Sequence, residues 1–246
     1  MADVRIRAPQ DLQQALGYPP MGLLLERSDV SREFAEEHVF RLSAAIEHAA
    51  RTGRTRVFVA TAVQGGSGTT SVVNLVGQEL AHSGLKTVVI EANGLQGPMD
   101  SMDMPTGHGL TDLLLDRTTL GTALKNGDPY RPARIGIGEQ KMLTRVPRLT
   151  RINRTIAELK REYDIILIDS PPLLISADAE YLARCCDATL LVVDSGRTSR
   201  RDLLRVTSTL DRINAPAIGV ILNRVQLKDA GKDLANDYRA YRDRLK

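Results

Sequence analysis

Three glycines, at positions 65, 66 and 68, fall within QGGSGTTSVVNL, Gln64 to Leu75. Glycine lets the backbone turn so that successive N–H groups point into one concavity, which attracts an anion. The placement gives the turn its weight. It follows an apolar run, VFVATA (57–62), and opens a stretch with helical spacing, so the partial positive charge of a helix start adds to the cradle. The chemistry is phosphate binding, with Gly65, Gly66, Ser67, Gly68, Thr69 and Thr70 as the contacting residues. A tight strand–helix turn without a ligand is the plain alternative. No lysine accompanies the turn, because the first in the chain is Lys86, beyond the helix.

The elements that must position this loop are legible from apolar patterning. VFVATA (57–62), TVVIEA (87–92), DIILID (164–169), TLLVVD (189–194) and AIGVILN (217–223) read as strands, with RIGIG (134–138) a weaker sixth. They are continuous apolar runs rich in β-branched residues, as expected of parallel strands covered on both faces. Helices fit at about 70–83, 147–161, 177–184 and 199–213. The last begins with a capping box, Ser199 to Asp202, and carries Leu203, Val206, Leu210 and Ile213 on one face. An earlier helix, 31–51, places Val39, Leu42, Ile46 and Ala49 on one face and Arg32, Glu36, Glu37 and Glu47 on the other. Strand–helix alternation of this kind predicts an α/β fold with a doubly wound, mainly parallel sheet. Three parts follow: an irregular lead-in over 1–30, an α/β domain over 31–225, and a C-terminal tail over 226–246. The stretch Gly94 to Gly109 reads as a loop.

At 246 residues the chain suits one ordinary α/β domain. A net charge of +3 is too small to argue for nucleic acid, which calls for a basic stripe. Cys185 and Cys186 are adjacent and cannot staple the fold, so they read as buried thiols in a reducing compartment. MADVRIRAPQDLQQ lacks the apolar core of a signal peptide, and no apolar run approaches the ~20 residues of a spanning helix. The expectation is a cytoplasmic protein without direct membrane insertion. His38, His48, His82 and His108 are scattered and read as surface residues, with no zinc spacing and no nucleophile elbow.

The loop resembles the deviant Walker A sequence, K-G-G-x-G-K-[ST]-T, of MinD/ParA-like P-loop ATPases. GLKTVVIEANGLQGP (84–98) resembles their second-strand motif, the Walker A′, in which D-x-D-x-R follows three apolar residues. YDIILIDSPPLL (163–174) and the run from Ser176 to Val225 resemble the bacterial tyrosine kinases, CpsD/CapB-like proteins and Wzc-like cytoplasmic domains. The likeness spans roughly residues 31–225. It implies an ATP and Mg²⁺ site, with Asp169 as the Walker B carboxylate and metal residue, and Glu91 as the remaining Walker A′ carboxylate. It also puts Asn223 and Arg224 near the nucleotide base.

Both phosphate-loop motifs depart from the family. If the glycines set the register, Thr69 stands at the lysine position and Thr70 at the magnesium position. If Asn74-Leu75 sets it, those positions fall to Gly68 and Thr69. Either way the lysine is absent, and Gln64 replaces the leading lysine. By analogy with a lost preorganised donor, the cost is roughly 3–4 kcal/mol, or about 10²–10³ in rate. D-x-D-x-R reads Glu91-Ala-Asn93-Gly-Leu95 here. In the family's E-x-x-R-x-x-R assembly helix, Glu37 remains while Phe40 and Ser43 replace the arginines. Tyr238 and Tyr241 in the tail match a tyrosine-rich autophosphorylation segment, or else belong to a solvated helical end.

The resemblance therefore implies a regulatory pseudokinase or weak ATPase of capsule or exopolysaccharide assembly. It would work beneath a membrane-bound polysaccharide co-polymerase of Wzc/CapA type, with homo-oligomerisation a further expectation. An active tyrosine autokinase completed by a partner's charge is the second reading, and a ParA/MinD-like positioning ATPase the third.

Overall fold

The computed structural model describes residues 4–53, 55–95, 108–139 and 151–244. In chain order the elements are α1 (Pro9–Leu16), β1 (Gly22–Leu25), α2 (Arg32–Gly53), β2 (Val57–Ala62), α3 (Thr69–His82) and β3 (Thr87–Glu91). Next come α4 (Leu110–Leu114), α5 (Leu120–Ala123), β4 (Leu124–Lys125), β5 (Ala133–Ile135), α6 (Arg151–Leu159) and β6 (Ile165–Asp169). The chain continues with α7 (Ala177–Cys185), β7 (Ala188–Asp194), α8 (Arg200–Arg212), β8 (Ile218–Val225) and α9 (Lys232–Arg244).

The strands form one eight-stranded sheet in the order β1-β8-β7-β2-β6-β3-β5-β4. Every pairing is parallel except β4 with β5. This is the doubly wound architecture that the alternating pattern predicts. Side chains alternate across each strand, which explains why the apolar runs are unbroken. Val57 and Val59 of β2 join one core layer, while Phe58, Ala60 and Ala62 join the other. The second layer is closed by Val39, Leu42 and Ile46 of α2 and Val72, Val73, Val76 and Leu80 of α3. The first is covered by α1, α4, α6, α7 and α8. Leu42 and Ile46 are essentially inaccessible. Burying each contributes about 1.5–3 kcal/mol, so α2 is fixed by its apolar stripe.

One expectation about the chain ends needs correction. The lead-in is not irregular: α1 buries Leu12, and β1 pairs with β8 as an edge strand. Ile6 is buried, its N–H donating to Thr198 O at 2.9 Å and its carbonyl accepting from Gly196 N at 2.7 Å. Ile6 thus pins the loop after β7. The tail over 226–246 carries the helix α9, which lays Tyr238 and Tyr241 against Phe34, ring centroids 5.0 and 5.1 Å apart. His38, expected at the surface, lies buried 5.3 Å from that same ring. Burial, with the nearby Arg41 charge, holds its imidazole below the usual range. Cys186 is buried as expected, while Cys185 is only half-buried.

Strand and helix bounds otherwise fall close to the patterning. RIGIG gives only the short β5, because glycines follow Ile135 at both alternate positions. Residues 147–150 of the expected helix 147–161 and most of the expected loop 94–109 lie outside the described residues.

Candidate functional site

The loop between β2 and α3 is shaped by its own hydrogen bonds and by residues ending β8. Ser67 Oγ donates to Gln64 O at 2.8 Å, Arg224 Nη1 to Gly66 O at 2.8 Å, and Asn223 Nδ2 to Ser67 O at 2.9 Å. Across a trans peptide the next N–H points opposite its carbonyl. Anchoring these three carbonyls therefore turns the N–H groups of Gly65, Ser67 and Gly68 the other way. Gly66 and Gly68 have φ of +76° and +86°, the left-handed region that glycine allows at low cost. A methyl group on Gly68 would also meet Asn223 Nδ2 at 2.5 Å. Gly68 caps α3 without a side-chain acceptor, leaving that helix start to attract an anion.

Thr70, on the first turn of α3, donates its hydroxyl to Asp169 Oδ2 at 2.6 Å. Only the register set by the glycines brings a hydroxyl to this strand-end carboxylate from the magnesium position. Thr69 then stands at the lysine position, buried as the first residue of the helix. Asp169 Oδ1 is buried with no hydrogen-bond partner. Burial pushes its carboxyl up to about 7, the Thr70 hydrogen bond opposing the shift and the nearby Glu91 charge adding to it. A hydroxyl beside a carboxylate with an unpartnered oxygen makes an oxygen-donor corner that fits a hard divalent cation such as Mg²⁺. Such a charge would supply what the buried carboxylate lacks.

Glu91 ends β3 directly beside Asp169 in the sheet register. Its partner is Arg134 of β5, whose Nη1 lies 3.5 Å from Oε1 and whose Nη2 donates to Asn74 Oδ1 at 2.9 Å. Burial raises the Glu91 carboxyl above the usual range, and Arg134 only partly offsets it. Asn93 leaves its buried Oδ1 without a partner, and Leu95 is exposed. Arg134 is a residue that motif reading missed; no spacing rule joins it to Glu91.

A second buried carboxylate, Asp194 at the end of β7, was also missed. Oδ2 accepts from Arg224 Nη1 at 2.9 Å and from Arg197 Nη1 at 3.3 Å. Burial raises its carboxyl despite both cations. The signal was available, because TLLVVD ends in an aspartate as DIILID does. Next to the loop opens a cavity of about 630 Å³, lined in part by Gly68, Ser71, Asn74, Asn223, Arg224 and Leu24. Its size falls in the range of small-molecule sites.

Other expected residues lie elsewhere. Tyr238 and Tyr241 sit on α9, half-buried, and the Tyr238 hydroxyl accepts from Ser31 N at 3.0 Å. Glu37 and Phe40 are exposed on α2, whereas Ser43 is buried with no partner for its hydroxyl. Among the described residues no cluster of three or more His, Cys, Asp or Glu could hold a metal, and no helix is long and apolar enough to cross a membrane.

A parallel doubly wound sheet with a glycine loop at the first strand–helix junction defines a P-loop NTPase fold. The family model AAA_31, described as AAA domain, matches residues 55–220, and the chain belongs to that family. Among its relatives, the tyrosine-protein kinase CpsD of Streptococcus agalactiae serotype III (strain NEM316) is 27% identical over 173 residues, covering 69% of this chain and 75% of that protein. The kinase domain of the Escherichia coli tyrosine kinase ETK superposes with a TM-score of 0.78 at 20% identity, over 92% of this chain and 97% of that one. The septum site-determining protein MinD of Pyrococcus horikoshii OT3, complexed with Mg-ADP, gives a TM-score of 0.59 at 22% identity over 75% and 77% of the two chains. At these identities the superpositions establish the shared fold.

Proposed function

We propose that this protein is a nucleotide-binding, weakly catalytic relative of the bacterial tyrosine kinases. In this reading it regulates exopolysaccharide or capsule assembly from the cytoplasmic side of a membrane-bound polysaccharide co-polymerase. One observation carries the nucleotide reading: the 2.6 Å contact of Thr70 with Asp169 beneath a glycine loop that has threonine at the lysine position. The N–H groups of Gly65, Ser67 and Gly68 would receive phosphate oxygens, while Thr70 and Asp169 would hold Mg²⁺. Asn223 and the adjoining cavity suit the nucleoside end. ATP supplies a transferable phosphoryl group, and moving it depends on charge neutralisation. The missing lysine lowers that neutralisation by roughly 3–4 kcal/mol, so recognition outlasts turnover.

Titration with Mg-ATP tests the reading. Micromolar binding supports a working site, and no binding at millimolar concentration overturns it. Labelled ATP, with and without a co-expressed co-polymerase, addresses the active-autokinase reading. The two guanidinium groups at the loop favour that reading enough to keep it. Strong label on Tyr238 or Tyr241 would defeat the weak-catalyst proposal. The Tyr238 hydroxyl, half-buried on α9, accepts from Ser31 N at 3.0 Å. The MinD-like positioning reading rests on fold likeness alone.

A further inference from the structure

We infer that Arg27, on the turn that follows the edge strand β1, is the residue that stacks on the base of a bound nucleotide. The inference rests on the nucleotide reading above and deepens it, by naming the group that grips the nucleoside end. Among the described residues, three arginines line the cavity beside the loop: Arg27, Arg32 and Arg224. Two are engaged. Arg32 Nε meets Glu36 Oε1 at 2.7 Å, and Arg224 is held by Asp194 and by Gly66 O. The Arg27 guanidinium has neither a hydrogen bond nor an ion pair among the described residues, although Glu26 and Glu36 line the same cavity.

The surroundings suit a flat, uncharged ring. Leu24, Leu25 and Val39 give the cavity a buried apolar wall. A guanidinium plane stacks on an aromatic face, and apolar side chains take the rest of the ring out of water. A second anion would gain nothing from that wall and would meet two carboxylates. Gly68 and Ser71 belong both to the cavity wall and to the start of α3, so one ligand can fill the phosphate loop and the cavity together.

The backbone beneath Arg27 is fixed. Glu26 N donates to Val225 O at 2.9 Å, Asp29 N to Glu26 O at 3.0 Å, and Leu227 N to Asp29 Oδ2 at 3.0 Å. These bonds tie the turn to the end of β8, close to Asn223 and Arg224. The exposed side chain can thus settle on a ring while its base stays in place. Stacking aids recognition of a nucleotide and adds nothing to phosphoryl transfer, in keeping with a weak catalyst.

The test is calorimetric titration of the full chain with Mg-ATP and inorganic tripolyphosphate, comparing wild type, Arg27→Ala and Arg27→Lys, with thermal melts alongside. Arg27→Ala should weaken Mg-ATP by about tenfold and tripolyphosphate by less than about twofold, with the melt unchanged. Arg27→Lys should recover little, because it returns the charge without the plane. The native chain has no tryptophan, so Arg27→Trp supplies a lone fluorophore at the contact. Its emission should be quenched by Mg-ATP and not by tripolyphosphate. Unchanged Mg-ATP affinity in Arg27→Ala, equal losses for the two ligands, or full rescue by Arg27→Lys would overturn the assignment and leave the nucleotide reading standing. Emission indifferent to Mg-ATP would do the same. Wild type that does not bind Mg-ATP would overturn both.

Discussion

Asp169 and Glu91 end neighbouring strands and face each other across the register of β6 and β3, yet their surroundings differ. Asp169 meets a hydroxyl and keeps an unpartnered buried oxygen. Glu91 meets Arg134, which is tied in turn to Asn74 on α3. The Asp169 corner holds no internal cation, whereas the Glu91 corner already contains one. A charge-bearing motif can therefore be lost in two ways: its partners vanish, or a new internal partner closes it. In the second-strand motif here, Glu91 has such an internal partner in Arg134. An arginine that D-x-D-x-R would carry two residues beyond its second acid is absent, and Arg134 approaches from the next strand.

The largest expected effect comes from restoring the lysine. If the Asp169 corner is intact and only the loop charge limits turnover, Thr69→Lys should raise ATP turnover by about 10²–10³, measured as steady-state phosphate release. No rise would shift the block to the Glu91 corner and break the comparison. Next is Asp169→Asn, which removes the metal-facing charge and keeps the shape. Mg-ATP affinity should fall by about tenfold to a hundredfold in equilibrium titration. The melt should hold or rise, because a buried carboxylate with an orphan oxygen is removed. A simultaneous collapse of stability would make Asp169 a structural residue.

The Glu91 corner should respond in the reverse sense. Arg134→Met strands a mostly buried carboxylate and should cost about 1–3 kcal/mol in chemical denaturation, with Mg-ATP affinity changed less than about threefold. The pair removed together, Arg134→Met with Glu91→Gln, should recover most of that loss. A double variant no better than the single one would show that packing, and not charge, holds the corner.

How far the sequence reached follows from range. The strands were legible because each carries its evidence locally: VFVATA is apolar except at Thr61, and DIILID is apolar between its two aspartates, as burial on both faces demands. The loop glycines and Asp169 were legible through spacing. The choice between two loop registers was not, since it depends on Thr70 meeting a residue 99 positions away. Arg134 meets Glu91 and Asn74 through similar long-range contacts that no local period encodes, whereas Asp194 carried a local signal as the aspartate that ends TLLVVD. β1 escaped because four residues, GLLL, are too few to show a pattern. The burial of Tyr238 and Tyr241 was hidden by the polar composition of α9, which contains no fully buried residue and docks mainly through its aromatic rings.

The smallest expected effect concerns Asn74, which connects the two corners. It lies on the same helix as Thr70, a little over one turn further on, and accepts from Arg134 at 2.9 Å. Asn74→Ala removes one hydrogen bond to a charged group that still has Glu91, so a loss of about 1 kcal/mol is expected in denaturation. α3 is anchored independently by Val72, Val73, Val76 and Leu80, all buried, so its first turn should not move. Mg-ATP affinity should then change by less than about threefold even though Asn74 borders the cavity. A larger fall in affinity than in stability would mean that Arg134 steers the phosphate loop through the helix. The closed corner would then regulate the open one, and the two could no longer be treated as separate.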